Sequence, residues 1–205
     1  MSGDTSIRLQ PYEVALLRGG PRAAVTAAVV ALHLRGAVEA GRPGTMRTSQ
    51  ASTEGAGQAH PPLPPLPPLA EIVHAALEHP LGIRELERRS DVRQALAELR
   101  AGLTSAGLLR TFPPRRTGAA RRDLLALYAE HPLPRSRKNV STTDTLMAVA
   151  LHGDPALSLL VPRFALRAGL IARAVVTDKG FHGRPRGGGT GGVAYSCGGG
   201  GGGTD

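Results

Sequence analysis

The sequence predicts a mainly α fold: two or three helix-turn-helix units, each ending in a short strand, in a winged-helix-like order. Three observations predict it. The apolar residues are dominated by Ala, Leu and Val, with no Trp, three Phe and three Tyr, and Ala and Leu favour helices over strands. Apolar positions recur at intervals of three and four, the spacing of one helix face, and rarely alternate. A helix-Gly-extended ending also recurs, as HLRGAVEA, TSAGLLRT and LRAGLIARAVV; glycine closes a helix in a left-handed conformation that a Cβ makes costly.

The first unit is the best punctuated. Pro11 fits the first helical position, where its missing N–H costs nothing, and a helix is predicted over Pro11–Arg18 with Tyr12, Val14 and Leu17 inward. Gly19-Gly20 supplies a corner, and Pro21 opens a second helix to Arg35 with Val25, Val29 and Leu32 on one face. Gly36 ends it, and Ala37–Ala40 reads as a short strand. Residues 1–41 thus form the first helical hairpin. Its Gly19-Gly20-Pro21 corner reads as helix capping rather than as a place for a ligand.

Residues 42–67, rich in Gly, Pro and small polar residues and running into PPLPPLPPL, read as a disordered linker ending in polyproline II. Between 68 and 179, helices are expected at Pro68–Glu78, Ile83–Arg89, Val92–Ser105 (capped by Ser90 or Asp91), Ala120–Glu130, Asp144–His152 (capped by Thr142 or Thr143) and Pro155–Ala168. These units are expected to pack with 9–41 as one domain. Residues 180–205 read as a disordered Gly-rich tail.

The formal net charge is +9, and it is unevenly placed. Residues 1–110 carry 12 Arg against 10 acids, whereas residues 111–205 carry 13 Arg and Lys against 6 acids. This excess points to an anionic partner, a membrane surface or nucleic acid. The candidate anion-binding residues are Arg115, Arg116, Arg121 and Arg122 in one basic segment and Arg135, Arg137 and Lys138 in another. Read as a winged helix over Ile83–Phe112, the chain would recognise DNA with Val92–Ser105. The polar face of that helix, Arg93, Gln94, Glu98 and Arg100, is mixed in sign, whereas a base-reading helix is usually positive.

Catalytic and metal chemistry lack a constellation. The seven His and one Cys show neither paired helical His nor CxxC spacing. Cys197 can form no internal disulfide and sits among glycines that hold no base beside it. Gly187, Gly189 and Gly192 match G-x-G-x-x-G in letters, but the motif needs a strand before it and a helix after it, and here it runs into further glycine. Glu13, Glu71 and Glu130, the acids nearest apolar helix faces, read as cap or surface residues. No cofactor, metal or small-molecule substrate is expected, and the protein is expected not to be an enzyme. The longest nearly uncharged apolar run, Ala23–Leu34, is short of the ~20 residues a membrane span needs. With no signal pattern at the N-terminus, a cytoplasmic protein with peripheral membrane association is expected.

The segment Pro11–Pro21 (PYEVALLRGGP), the Arg35-Gly36 ending, Val149–Gly153 (VALHG) and the glycine tail with its cysteine resemble one family. It is an actinobacterial family of uncharacterised proteins whose domain opens PYEVALLxGGP and ends in a Gly-rich, often Gly/Cys-rich tail. The resemblance implies no activity, cofactor or catalytic residue. More distantly, repeated helix-helix-strand units are similar to the Golgi phosphoprotein family of anionic-lipid-binding adaptors. The expectation is therefore an interaction or adaptor domain with a protein partner, peripheral to an anionic membrane; the alternative is a winged-helix-like DNA-binding regulator.

Overall fold

Both predicted N-terminal helices form, meeting at a kink where Gly20 leaves helical geometry (φ 74°, ψ −163°), and together they make up α1 (Pro11–Leu34). The computed structural model describes residues 9–49, 67–112 and 115–171. All of them lie in a first unit, Met1–Arg173; the second unit, Ala174–Asp205, with the Gly-rich tail and Cys197, lies outside the described residues. Two glycines make the corner for different reasons. Gly20 adopts a backbone conformation that side chains disfavour. Gly19 must lack a side chain, because a Cβ there would sit 2.8 Å from the Cβ of Ala23. The N-terminus of α1 is closed by Glu13, whose carboxylate accepts the Gln10 N–H at 2.7 Å.

After α1 the chain forms a small antiparallel ribbon, β1 (Val38–Ala40) with β2 (Met46–Thr48), in the register Val38 to Thr48, Glu39 to Arg47 and Ala40 to Met46. Strand β2 falls within residues 42–67, which composition assigns to the linker. The correction has a tertiary cause. Met46 is fully buried, and its backbone exchanges hydrogen bonds of 2.8 and 3.0 Å with Leu81, far along the chain. The predicted linker's remaining residues 50–66 lie outside the described residues.

Seven further helices complete the described residues: α2 (Pro68–Ala76), α3 (Ile83–Arg88), α4 (Ser90–Ser105), α5 (Gly118–Glu130), α6 (Thr142–His152), α7 (Asp154–Leu160) and α8 (Pro162–Arg167). Three local expectations need correction. Helix α4 begins at Ser90, with Asp91 inside its first turn accepting the Val92 N–H at 2.8 Å. Helix α6 is capped one residue earlier than expected, by Ser141, whose Oγ accepts the Asp144 N–H at 3.0 Å. The single helix expected over Pro155–Ala168 is divided at Val161 (φ −132°, ψ 46°), because Pro162 disfavours helical geometry in the residue before it.

The repeated glycine endings share one geometry. Gly36, Gly107 and Gly169 all have φ between 68° and 74°. At each, the glycine N–H bonds three residues back and the next N–H bonds five back: Ala37 to Leu32, Leu108 to Leu103 and Leu170 to Ala165, each at 2.9 Å. This is the Schellman closure, with its usual apolar contact between the two bonded residues. The chain beyond each glycine differs. A strand succeeds Gly36, whereas after Gly107 the expected strand is one antiparallel bridge, Leu109 to Arg116. After Gly169 the described residues end at Ile171.

Helix α1 forms the centre, packing against α6 and α2 and touching α3, α4 and α5. Val14–Leu17, Ala24–Val30 and Leu32 are buried, a wider face than the predicted stripe, because neighbours surround the helix. Leu77, Leu86, Leu151 and Leu157 complete the core around it. Counted across the kink, α1 is long and apolar enough to cross a membrane by length and composition only, with a mean hydropathy of 1.3 over its most apolar window. In this fold 61 % of that window is buried against protein.

Candidate anion-binding cleft

The corner in α1 forms one wall of a basic cleft. Just before it, Arg18 turns back onto α6: its Nε donates to the Ala150 carbonyl at 2.7 Å. Its guanidinium lies over Gly153 (φ 61°), where a Cβ would come within 2.8 Å of Nη2. The opposite wall is the arm closed by the Leu109–Arg116 bridge, in which the Arg110 N–H donates to the Arg115 carbonyl at 2.9 Å. The arm is tied to α1 by Arg116, whose Nη2 donates to the Arg18 carbonyl at 2.9 Å. Thr117 then starts α5, donating its hydroxyl to the Gly107 carbonyl and accepting the Ala120 N–H at 3.2 Å, which places Arg121 on the first turns. Arg100 comes from the exposed side of α4.

The resulting cleft has a volume of about 710 Å³ and is lined by Arg18, Arg100, Arg115, Arg116 and Arg121 with Leu16, Leu17, Gly19, Gly20 and Leu109. Among the described residues, five arginines line it and no carboxylate does; Arg18 also lines a further cleft with Gly153 and Asp154. Guanidinium stays charged at any physiological pH, so the walls repel one another and present a field that an anion relieves. A second basic cleft of about 700 Å³ contains Arg42, Arg47 and Arg167. There Arg47 is answered by Glu39 at 2.7 Å, so the first cleft carries the larger excess of positive charge. Arg100 also borders a smaller cleft with Glu87 and Arg93; no ion pair joins Arg100 to Glu87 among the described residues, and Glu87 Oε1 is buried without a partner.

Of the candidate residues, Arg115, Arg116 and Arg121 are brought together here. Arg122 is exposed on α5 but does not line the cleft. Arg135, Arg137 and Lys138 are exposed on the loop between α5 and α6 and form a separate basic segment. Sequence reasoning missed Arg18 as a site residue and placed Arg100 only on a DNA-reading face. No spacing rule links positions 18, 100 and 116; only the folded chain brings them together.

Apolar residues stand beside these cations. Phe112, on the arm, is 90 % exposed, and Leu125, one helical turn beyond Arg121, is 69 % exposed. On α4, Arg93, Gln94, Glu98 and Arg100 are all exposed, with Gln94 Nε2 donating to Glu98 at 3.0 Å.

Two of the histidines, His33 and His152, have structural partners. His33 stacks on Phe164 with ring centres 3.7 Å apart. His152 lies 3.0 Å from the His131 carbonyl and edge-on to Tyr128. Among the described residues no three His, Cys, Asp or Glu side chains converge as metal ligands. Glu71 and Glu130 are exposed, and Glu130 lies 3.9 Å from His131 Nε2. Compared with protein-family models, curated proteins and solved structures, the chain matches none.

Proposed function

We propose that this chain is a non-enzymatic interaction or adaptor domain that docks peripherally on an anionic membrane surface. The observation that carries this reading is the company Phe112 and Leu125 keep. Both are exposed; Phe112 lies between Arg110 and Arg115 in the chain, and Leu125 is three and four residues on from Arg122 and Arg121, on the same face of α5. An interfacial membrane contact needs apolar side chains to enter the acyl boundary and cations to meet the headgroups. A phosphate backbone in water rewards the cations alone. Each surface cation contributes about 1 kcal/mol at an anionic leaflet, and burying a Phe contributes about 1.5–3 kcal/mol.

Co-sedimentation with phosphatidylcholine vesicles, with and without phosphatidylserine, tests the reading. Binding is expected only with phosphatidylserine, weakening with salt, and about tenfold or more weaker for Phe112→Ser combined with Leu125→Ser. Equal binding by that variant, or none by the parent at low salt, would remove the membrane from the proposal.

One observation favours a second reading, a winged-helix-like DNA-binding regulator. Helices α3 and α4 are separated by Arg89 alone and are followed by a glycine stop and a bridged arm, the order in which such a domain presents helix and wing. A salt-dependent mobility shift on duplex DNA that Arg93→Ala abolishes would support it over the membrane.

A further inference from the structure

We infer that the cleft at the α1 corner is a discrete site for a small polyphosphate, a diphosphate or triphosphate chain, and not only part of a diffuse basic surface. The inference shares Arg115 and Arg121 with the proposed membrane contact but does not depend on a bilayer.

Shape is the first support. A volume of about 710 Å³ lies in the ordinary range for small-molecule sites, roughly 300–1,000 Å³. Preorganisation is the second. Arg116 is held by the Arg18 carbonyl at 2.9 Å, and Arg18 in turn by the Ala150 carbonyl at 2.7 Å, so the tie between the arm and the α1 corner is in place before a ligand arrives. Arg100, Arg115 and Arg121 have no side-chain hydrogen bond or ion pair among the described residues and are free to close on it. Charge is the third. One phosphate ester carries about −1.5 to −2 at neutral pH, which leaves about three of the five positive charges unanswered. Two or three linked phosphates answer them, and arginine suits phosphate oxygens because its planar fork can bond two at once. None of the lining residues is aromatic, so a nucleobase would have only guanidinium planes to stack on. Recognition would be of the phosphate chain.

The test is isothermal titration of the full chain with orthophosphate, pyrophosphate and tripolyphosphate at constant ionic strength. One site per chain is expected, with affinity rising in that order. At about a hundred times Kd, tripolyphosphate should raise Tm by roughly 5–10 °C. Arg100→Ala and Arg121→Ala should each weaken binding about tenfold or more while leaving the unliganded Tm unchanged. Arg163→Ala, on α8, should leave the affinity as it is.

Several weak sites per chain, or equal losses from Arg121→Ala and Arg163→Ala, would show diffuse attraction and overturn the site. So would silence in the titration together with phosphatidic acid vesicles that bind in an Arg121-dependent way, since the cleft would then serve a lipid phosphate. The two proposals fail separately. Phe112→Ser with Leu125→Ser should weaken vesicle binding about tenfold or more and retain tripolyphosphate. Loss of tripolyphosphate binding with vesicle binding intact would sink only the cleft.

Discussion

Replacing Gly153 with Ala is the most discriminating structural perturbation, because it strikes the backbone and the cleft together. Gly153 is buried between α6 and α7 with φ 61° and ψ −125°, a conformation that costs a side-chain-bearing residue about 1–3 kcal/mol. The new Cβ would also lie 2.8–3.1 Å from the guanidinium atoms of Arg18. Arg18 must then move, and moving it loosens the 2.7 Å bond to the Ala150 carbonyl, worth about 1.5–3 kcal/mol for a charged donor. The sum is about 2.5–6 kcal/mol, a large share of the roughly 5–15 kcal/mol a domain has.

A urea-denaturation double-mutant cycle separates the two parts. In an Arg18→Ala background only the backbone cost remains, so Gly153→Ala should destabilise that background by about 1–3 kcal/mol, leaving a coupling of at least about 1 kcal/mol. Strict additivity would mean that Arg18 is not held over Gly153. A loss below about 1 kcal/mol in the parent would mean that the backbone there is not constrained as described.

Other expectations rest on single contacts. Met46→Ala removes a fully buried side chain and should cost about 2–5 kcal/mol by urea denaturation; a residue in a disordered linker would cost almost nothing. Tyr128→Phe deletes the hydroxyl that donates to the Leu151 carbonyl at 2.6 Å and should lower stability by about 0.5–1.5 kcal/mol. Hydrogen bonding from Arg89 holds the Asp91 carboxyl below its ordinary range, so its contribution is present above the unfolded pKa and fades as pH falls through the lower folded value. Because the pair is exposed, with side chains 47 % and 40 % accessible, Asp91→Asn should flatten the acid limb of the stability curve by only about 0.5 kcal/mol. Burial raises the Tyr12 phenol above its ordinary value of 10.0, so its contribution is complete below pH 10 and is lost as pH rises through the folded value. Tyr12→Phe should remove that alkaline loss in a pH-dependent Tm series.

The sequence by itself determined the helical class and the places where helices stop. Gly36, Gly107 and Gly169 were legible as endings because a left-handed cap is a property of one residue and its immediate neighbours. Val25, Val29 and Leu32 were legible as core for the same local reason, their spacing on one helix face. Tertiary structure decided what depends on contacts between distant segments. Met46 became core, and β2 a strand, only because Leu81 and β1 supply backbone partners. The expected strand after Gly107 shrank to a bridge because the partner Leu109 meets there is Arg116 alone among the described residues. The α1 corner, read from sequence as scaffold alone, became the wall of an arginine cleft when α4, the arm and α5 brought Arg100, Arg115, Arg116 and Arg121 to Arg18. Glycine and proline write backbone geometry into the sequence locally. The meeting of five like charges is written only in the packing that holds them together despite their repulsion.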